Sequence, residues 1–331
     1  GKGVKYKGYK TTGEKVGSYT KILFNDKTIG YTLTSNLTTK KPVTNIVTKS
    51  GSVYSYVKMK ADLTKLKNIY SDYMSVKNLG QTADKRNIYC VILGNPNAKK
   101  QIVVNASLHA REYLNTYFVM EILEQYLNNY TKKSAKIGMT YEKLFNEVAL
   151  YIIPMANPDG VTIAQYGPSK INNKTLRKNV TKMLRRKSYR TWKANARGVD
   201  LNRNFPSGWG KSPKTNKAGA MYYAGSKAAS EKETKILMKF MNSLSNPVAN
   251  INYHSMGAIV YWDYAVKGTL RTNITKMATT VRSLTKYKLM RGSGSNGTSG
   301  AVGGFGDWSV YAKKIPSITI ETGTVSCPLP F

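Results

Sequence analysis

Acidic side chains are scarce: 17 Asp and Glu stand against 52 Lys and Arg, leaving a formal net charge of +35. Such an excess draws a chain toward polyanions (nucleic acid, acidic lipid or an anionic cell wall) without choosing among them. Cysteine is nearly absent. Cys90 lies inside the apolar run 88–93 and Cys327 near the end, which excludes a disulfide framework and a cysteine-built zinc site. No stretch approaches the run of about 18 apolar residues that a membrane-spanning helix needs. The longest, near 148–156, fits a buried strand. Histidine is equally rare, with two in 331 residues. The rest is ordinary for a folded domain, at 41% hydrophobic and 21% charged residues.

The length allows one large domain and a small one. Residues 1–45 read as strands and turns, with Tyr19–Phe24 and Thr28–Leu33 as a hairpin broken at Asn25-Asp26. The piece KVGSYTKILFNDKTIGYTLTSNL resembles the C-terminal half of a bacterial SH3-type wall-binding domain. Residues 46–53 then read as a linker, and 54–331 as the main domain. There, helices are expected near 58–73, 114–129, 227–243 and 269–285. Strands are expected near 87–93, 101–107, 148–154, 249–254 and 316–321. Strands separated by helices give an α/β class: a mixed, mostly parallel sheet flanked by helices, preceded by a small all-β segment.

Both histidines stand where a strand ends. His109 follows the strand near 101–107, with Glu112 three residues on, and His254 ends the strand near 249–254. Ligands gather at the carboxyl ends of strands in open α/β sheets. Zinc takes two or three imidazole or carboxylate ligands and keeps one position for water. His-x-x-Glu plus a distant His fits that set. Alone, it equally fits two histidines satisfied within a core.

Further blocks favour the metal. Gly198-Val-Asp-Leu-Asn-Arg-Asn-Phe-Pro206, Asn157-Pro-Asp-Gly160 and Asp307-Trp308, with Glu321 thirteen residues after that Trp, resemble blocks of the zinc carboxypeptidases. With the two histidine segments they keep that family's order across residues 54–325. The resemblance implies one zinc ion per chain on His109, Glu112 and His254, and Glu321 as the general base. It places Arg177 at the arginine that steadies the oxyanion, and Asn202 and Arg203 at the pair that clamps a substrate carboxylate. There are two departures. The family's covering tyrosine falls at Ser299, among Gly, Ser, Asn and Thr. Only ten residues follow Glu321, where the family has a closing helix, so the expectation is a shortened C-terminus.

The pieces WKANARGVDLNRNFP, NYHSMGAIVYW and ETGTVSCPLP are most similar to the bacterial γ-D-glutamyl-diamino-acid peptidases, which cut peptidoglycan stem peptides. This resemblance implies stem peptides and anionic wall polymers as partners. It also implies a secreted or wall-associated protein whose signal peptide is absent from this chain. The basic stretch 177–197 either lines the approach to the site or is a solvated loop in a Lys-rich chain. A metallocarboxypeptidase trimming ordinary peptides is the alternative. A nucleic-acid-binding protein is supported only by charge, since no zinc finger or helix-turn-helix pattern accompanies it.

Overall fold

The computed structural model describes residues 10–24, 28–34, 43–48, 51, 53–211, 215–292 and 302–330; Ser299 lies outside them. The first three strands, β1 (Lys10–Val16), β2 (Tyr19–Phe24) and β3 (Thr28–Leu33), form an antiparallel meander in chain order. Residues 43–48 lie against a long helix, α2 (Leu114–Asn128), and Val47 is fully buried. The Glu124 carboxylate on α2 accepts the N–H groups of Ile46 (2.7 Å) and Val47 (2.8 Å) and the Thr44 hydroxyl.

The main domain is built on eight strands: β4 (Met74–Gln81), β5 (Asn87–Leu93), β6 (Lys100–Ala106), β7 (Val148–Ile153), β8 (Pro247–Ser255), β9 (Ile259–Asp263), β10 (Lys288–Arg291) and β11 (Ser317–Thr322). Their order is β10-β9-β11-β8-β6-β7-β5-β4. The central strands β11, β8, β6 and β7 run parallel, and antiparallel partners appear toward both edges. The expected mixed, mostly parallel sheet is what the chain forms.

Side chains alternate across each central strand and feed two cores. On β5, Val91 and Leu93 face one core while Cys90 and Ile92 face the other. The first core is covered by α1 (Tyr56–Ile69), α2, α4 (Pro158–Tyr166) and α5 (Lys174–Leu184) through Leu66, Leu123, Val161 and Val180. The second is covered by α6 (Lys232–Ser243) and α8 (Phe305–Tyr311) through Leu237, Phe240 and Trp308. The short α3 (Tyr141–Glu147) precedes β7, and α7 (Gly268–Thr285) packs on β9 through a third cluster around Ile274.

Charge is sorted by depth. Asp62, Asp84, Glu124, Asp159, Asp200, Glu231, Glu233 and Asp307 are buried, whereas no Lys or Arg is buried among the described residues. The surface is therefore more cationic than the composition implies. None of the described helices is long and apolar enough to cross a membrane.

Candidate active site

Three adjacent parallel strands, β11, β8 and β6, deliver the key side chains at their carboxyl ends in the middle of the sheet. The chain leaves β6 into a turn carrying His109 and Glu112; His254 is on the last turn of β8, and Glu321 on that of β11. Glu321 and His254 are direct partners in the β11–β8 ladder, so register alone sets the two side by side. The backbone N–H of Ala110 is bonded to the carbonyl of Lys193 (3.0 Å), which pins the His109 turn against the 190s loop. Asn157 supports both, its Nδ2 donating to the carbonyls of Leu108 and Ala194 (3.2 Å each). At Gly160 a Cβ would meet the Ala194 oxygen at 2.4 Å, so the Asn-Pro-Asp-Gly block is the brace of the site.

His109, Glu112 and His254 converge in the interior. His109 Nδ1 lies 2.9 Å from Glu112 Oε1, and His254 Nδ1 lies 2.9 Å from Glu112 Oε2. The two Nδ1 atoms are 3.0 Å apart. His109 Nε2 faces Asp200 Oδ1 at 3.1 Å, so its proton belongs on Nε2 and the Nδ1 lone pair is left free. With the His109 lone pair, His254 Nδ1 and the Glu112 carboxylate within 3.0 Å of one another, the cluster has the donors to take up a cation. The set of two imidazoles and one carboxylate fits zinc with an open fourth position.

Burial alone would raise the Asp200 carboxyl, but the charge of Lys193, the hydrogen bond from His109 and the charge of Arg203 hold it well below the usual carboxylate range. Glu321 is in the opposite state. Burial and the neighbouring Glu112 push its carboxyl up to about 7, against the pull of His254, Lys193 and Arg111. A carboxylate poised there has the proton affinity a general base needs at neutral pH.

Arg203 is brought to the cluster: its Nε is 3.4 Å from Asp200 Oδ2, and its guanidinium stacks on Tyr222. Asn202 stands beside it, with Oδ1 accepting the N–H of Phe305 (3.1 Å) at the start of α8. Arg177 takes a different place. It is exposed on α5, and its Nε donates to the carbonyl of Ile171. The cations that do face the site are Lys193, which the sequence offered only as one member of the basic stretch 177–197, and Arg111, which it did not single out. Lys193 Nζ lies 4.0 Å from Asp200 Oδ2 and 5.4 Å from the centre of the Tyr222 ring, and Arg111 stands in sequence between His109 and Glu112. Arg111 Nε is buried with no hydrogen-bond partner. The signal for Arg111 was its position inside His-x-x-Glu; Lys193 had only its place eight residues after Arg185 in a Lys-rich run.

Comparisons with known proteins follow this geometry. The model of the zinc carboxypeptidase family matches residues 59–327. Gamma-D-glutamyl-L-diamino acid endopeptidase 1 of Lysinibacillus sphaericus is 28% identical over 284 residues, covering 84% of this chain and 67% of that protein. Human mast cell carboxypeptidase A is 30% identical over 242 residues, covering 71% of this chain and 54% of that protein. Among solved structures, thrombin activatable fibrinolysis inhibitor has the same fold, with a TM-score of 0.66 at 20% identity over 88% of this chain and 74% of that one.

Proposed function

We propose that this chain, which belongs to the zinc carboxypeptidase family, cleaves the γ-D-glutamyl-diamino-acid bond of peptidoglycan stem peptides. His109, Glu112 and His254 would hold zinc, which would act as a Lewis acid and lower the pKa of water. Glu321 takes the proton of the attacking water and returns it to the leaving amine. Lys193 and Arg111, rather than the exposed Arg177, steady the negative charge that develops on the carbonyl oxygen. Asn202 and Arg203 hold a substrate carboxylate, the guanidinium already oriented by Asp200 and Tyr222.

The observation that carries the hydrolase reading is the convergence of two Nδ1 atoms and one carboxylate beside Glu321. The substrate reading rests on the Lysinibacillus relative, whose name describes that bond, and on the cationic surface, which suits an anionic wall. On this reading the protein acts outside the cell. Residues 1–45 serve as an SH3-like wall-binding segment, 46–53 as the link, and 54–331 as the catalytic domain.

Digestion of purified muropeptides with mass readout, with and without a chelator, tests the proposal. A γ-D-Glu-diaminopimelate peptide should be cut far faster than an ordinary peptide with a free C-terminal residue. Arg203→Ala should shrink that preference by ~10- to 150-fold, the range of a lost hydrogen bond to a charged group. The similarity to mast cell carboxypeptidase A keeps a second reading in play, removal of C-terminal residues from ordinary peptides. A preference for such peptides with indifference to the γ-linkage would establish that reading instead.

A further inference from the structure

Directly behind the ligand set, three polar side chains close a ring. Asn115 lies three residues after Glu112, Ser255 follows His254, and Thr322 follows Glu321. Asn115 Nδ2 donates to Ser255 Oγ at 3.0 Å, and Thr322 Oγ1 donates to Asn115 Oδ1 at 2.7 Å. The two hydroxyl oxygens are 2.9 Å apart. Each hydroxyl has a single proton. With the Thr322 proton directed at Asn115, the proton between the hydroxyls comes from Ser255. The bonds therefore run head to tail, from Asn115 to Ser255 to Thr322 and back to Asn115. Bonds arranged in this sense polarise one another, and two of the three members are dry, Asn115 at 1% exposed and Ser255 at 7%, while Thr322 is half-buried.

The ring stands where regular structure stops. Ser255 ends β8, Thr322 ends β11, and α2 begins at Leu114 with no side-chain cap. Strand ends and uncapped helix starts are the parts of a fold that open most readily. Here three of them meet: two carry His254 and Glu321, and Glu112 stands two residues before the third. One more bond runs from the ring to those neighbours, the Ser255 N–H donating to Glu112 Oε2 at 3.2 Å; the His254 carbonyl, 3.1 Å from Thr322 Oγ1, is a competing acceptor for the one proton of that hydroxyl.

We infer that Asn115, Ser255 and Thr322 are positioning residues, a closed hydrogen-bond ring that fixes Glu321 relative to Glu112 and His254. The inference rests on the roles given to those three residues above. Thr322→Val keeps the shape of the side chain and removes the hydroxyl, so the ring opens without leaving a hole. Misplacement of a reacting group by about 1 Å costs ~100-fold in rate, and a partial loosening correspondingly less. In the zinc-loaded full chain, kcat should fall ~10-fold or more, with KM within about twofold and zinc content unchanged. Thr322→Ser should restore kcat, because it restores the hydroxyl. The ring opens only once, so Ser255→Ala combined with Thr322→Val should be no slower than the slower single variant.

A second readout needs no substrate. The visible spectrum of the cobalt-loaded protein should shift in Thr322→Val and return in Thr322→Ser. Wild-type kcat and spectrum in Thr322→Val would overturn the inference. So would equal losses in Thr322→Ser, or multiplicative losses in the double variant. If Thr322→Val does not fold, Ser255→Ala opens the same ring and is read by the same measurements. If the wild-type protein cleaves no peptide, the proposed function fails, and the cobalt spectra still decide the ring.

Discussion

Replacing Asp200 by Asn tests the metal site without touching a ligand. The carboxylate is the hub of the site: Oδ1 faces His109 Nε2 at 3.1 Å, and Oδ2 faces Arg203 Nε at 3.4 Å and Lys193 Nζ at 4.0 Å. It also accepts the N–H groups of Asn202 (3.2 Å) and Tyr222 (3.3 Å). Every neighbour is a donor. An asparagine amide can set its oxygen toward His109 only by turning its NH2 into Arg203, Lys193 and the Tyr222 N–H. Turned the other way, the NH2 meets His109 Nε2 and drives the imidazole proton to Nδ1, the atom that faces Glu112 and His254. Either choice weakens the site. A charge-assisted hydrogen bond contributes about 1.5–3 kcal/mol and a neutral one about half that. Loss of an outer partner of a metal-bound histidine typically costs 10- to 100-fold in metal affinity. Asp200→Asn should therefore raise the zinc dissociation constant ~10- to 100-fold, about 1.4–2.7 kcal/mol. Competition of the apoprotein against a calibrated chelator at fixed pH measures it. An affinity within twofold of wild type would mean that His109 does not present Nδ1 to a metal under the control of Asp200.

Three further outcomes follow from the same geometry. His254→Ala leaves two protein ligands and should abolish both bound zinc and hydrolysis, as elemental analysis and activity will report. Glu321→Gln should retain zinc and lose at least ~100-fold in kcat with KM little changed; near-normal turnover would pass the base role to another carboxylate. Glu233, 1% exposed on α6, has a carboxyl pushed up by burial and by the charges of Asp159 and Glu231 to about 8, from an ordinary value of 4.5. Between those two values the unfolded chain has released a proton that the folded chain retains, so stability falls as pH rises, by at most ~1.4 kcal/mol per pH unit from this group. Glu233→Gln should remove that slope, so its stability relative to wild type, measured by urea unfolding, should climb from pH 5 to 8 and level off above; a difference independent of pH would refute the assignment.

Much of the fold was legible because burial imposes period. The strands expected at 87–93, 101–107 and 148–154 match β5, β6 and β7 to within a residue, since each is an apolar run buried on both faces. Strand β4 went unread: MSVKNLGQ is half exposed, and antiparallel pairing with β5 rather than an apolar run holds it in the sheet. The helix expected at 58–73 begins earlier, at Tyr56, where the Ser55 side chain caps the N–H of Lys58, and ends earlier, at Ile69. Strands β9 and β10 are short pieces at the far edge, too brief for alternation to mark them.

The site divides along a different line. His109 and His254 could be picked out because each falls at a strand end and the chain holds no other histidine to confuse the choice, and Glu321 because its segment after Asp307-Trp308 resembles that of the zinc carboxypeptidases. Arg177 and Lys193 could not be ranked in the same way. Between Lys170 and Arg197 a cation recurs every few residues, and spacing alone gives none of them priority. What sets Lys193 apart is the bond from its carbonyl to Ala110, a contact across 83 positions that no local pattern encodes. The ring is the extreme case. Asn115 lies 140 positions from Ser255 and 207 from Thr322, and amide and hydroxyl side chains are common enough to carry no signal of their own. Metal ligands and bases are drawn from few residue types, so chemistry narrows the choice before the fold is known. The groups that hold them in place can be any polar side chains that the topology brings within 3 Å, and only the folded chain says which.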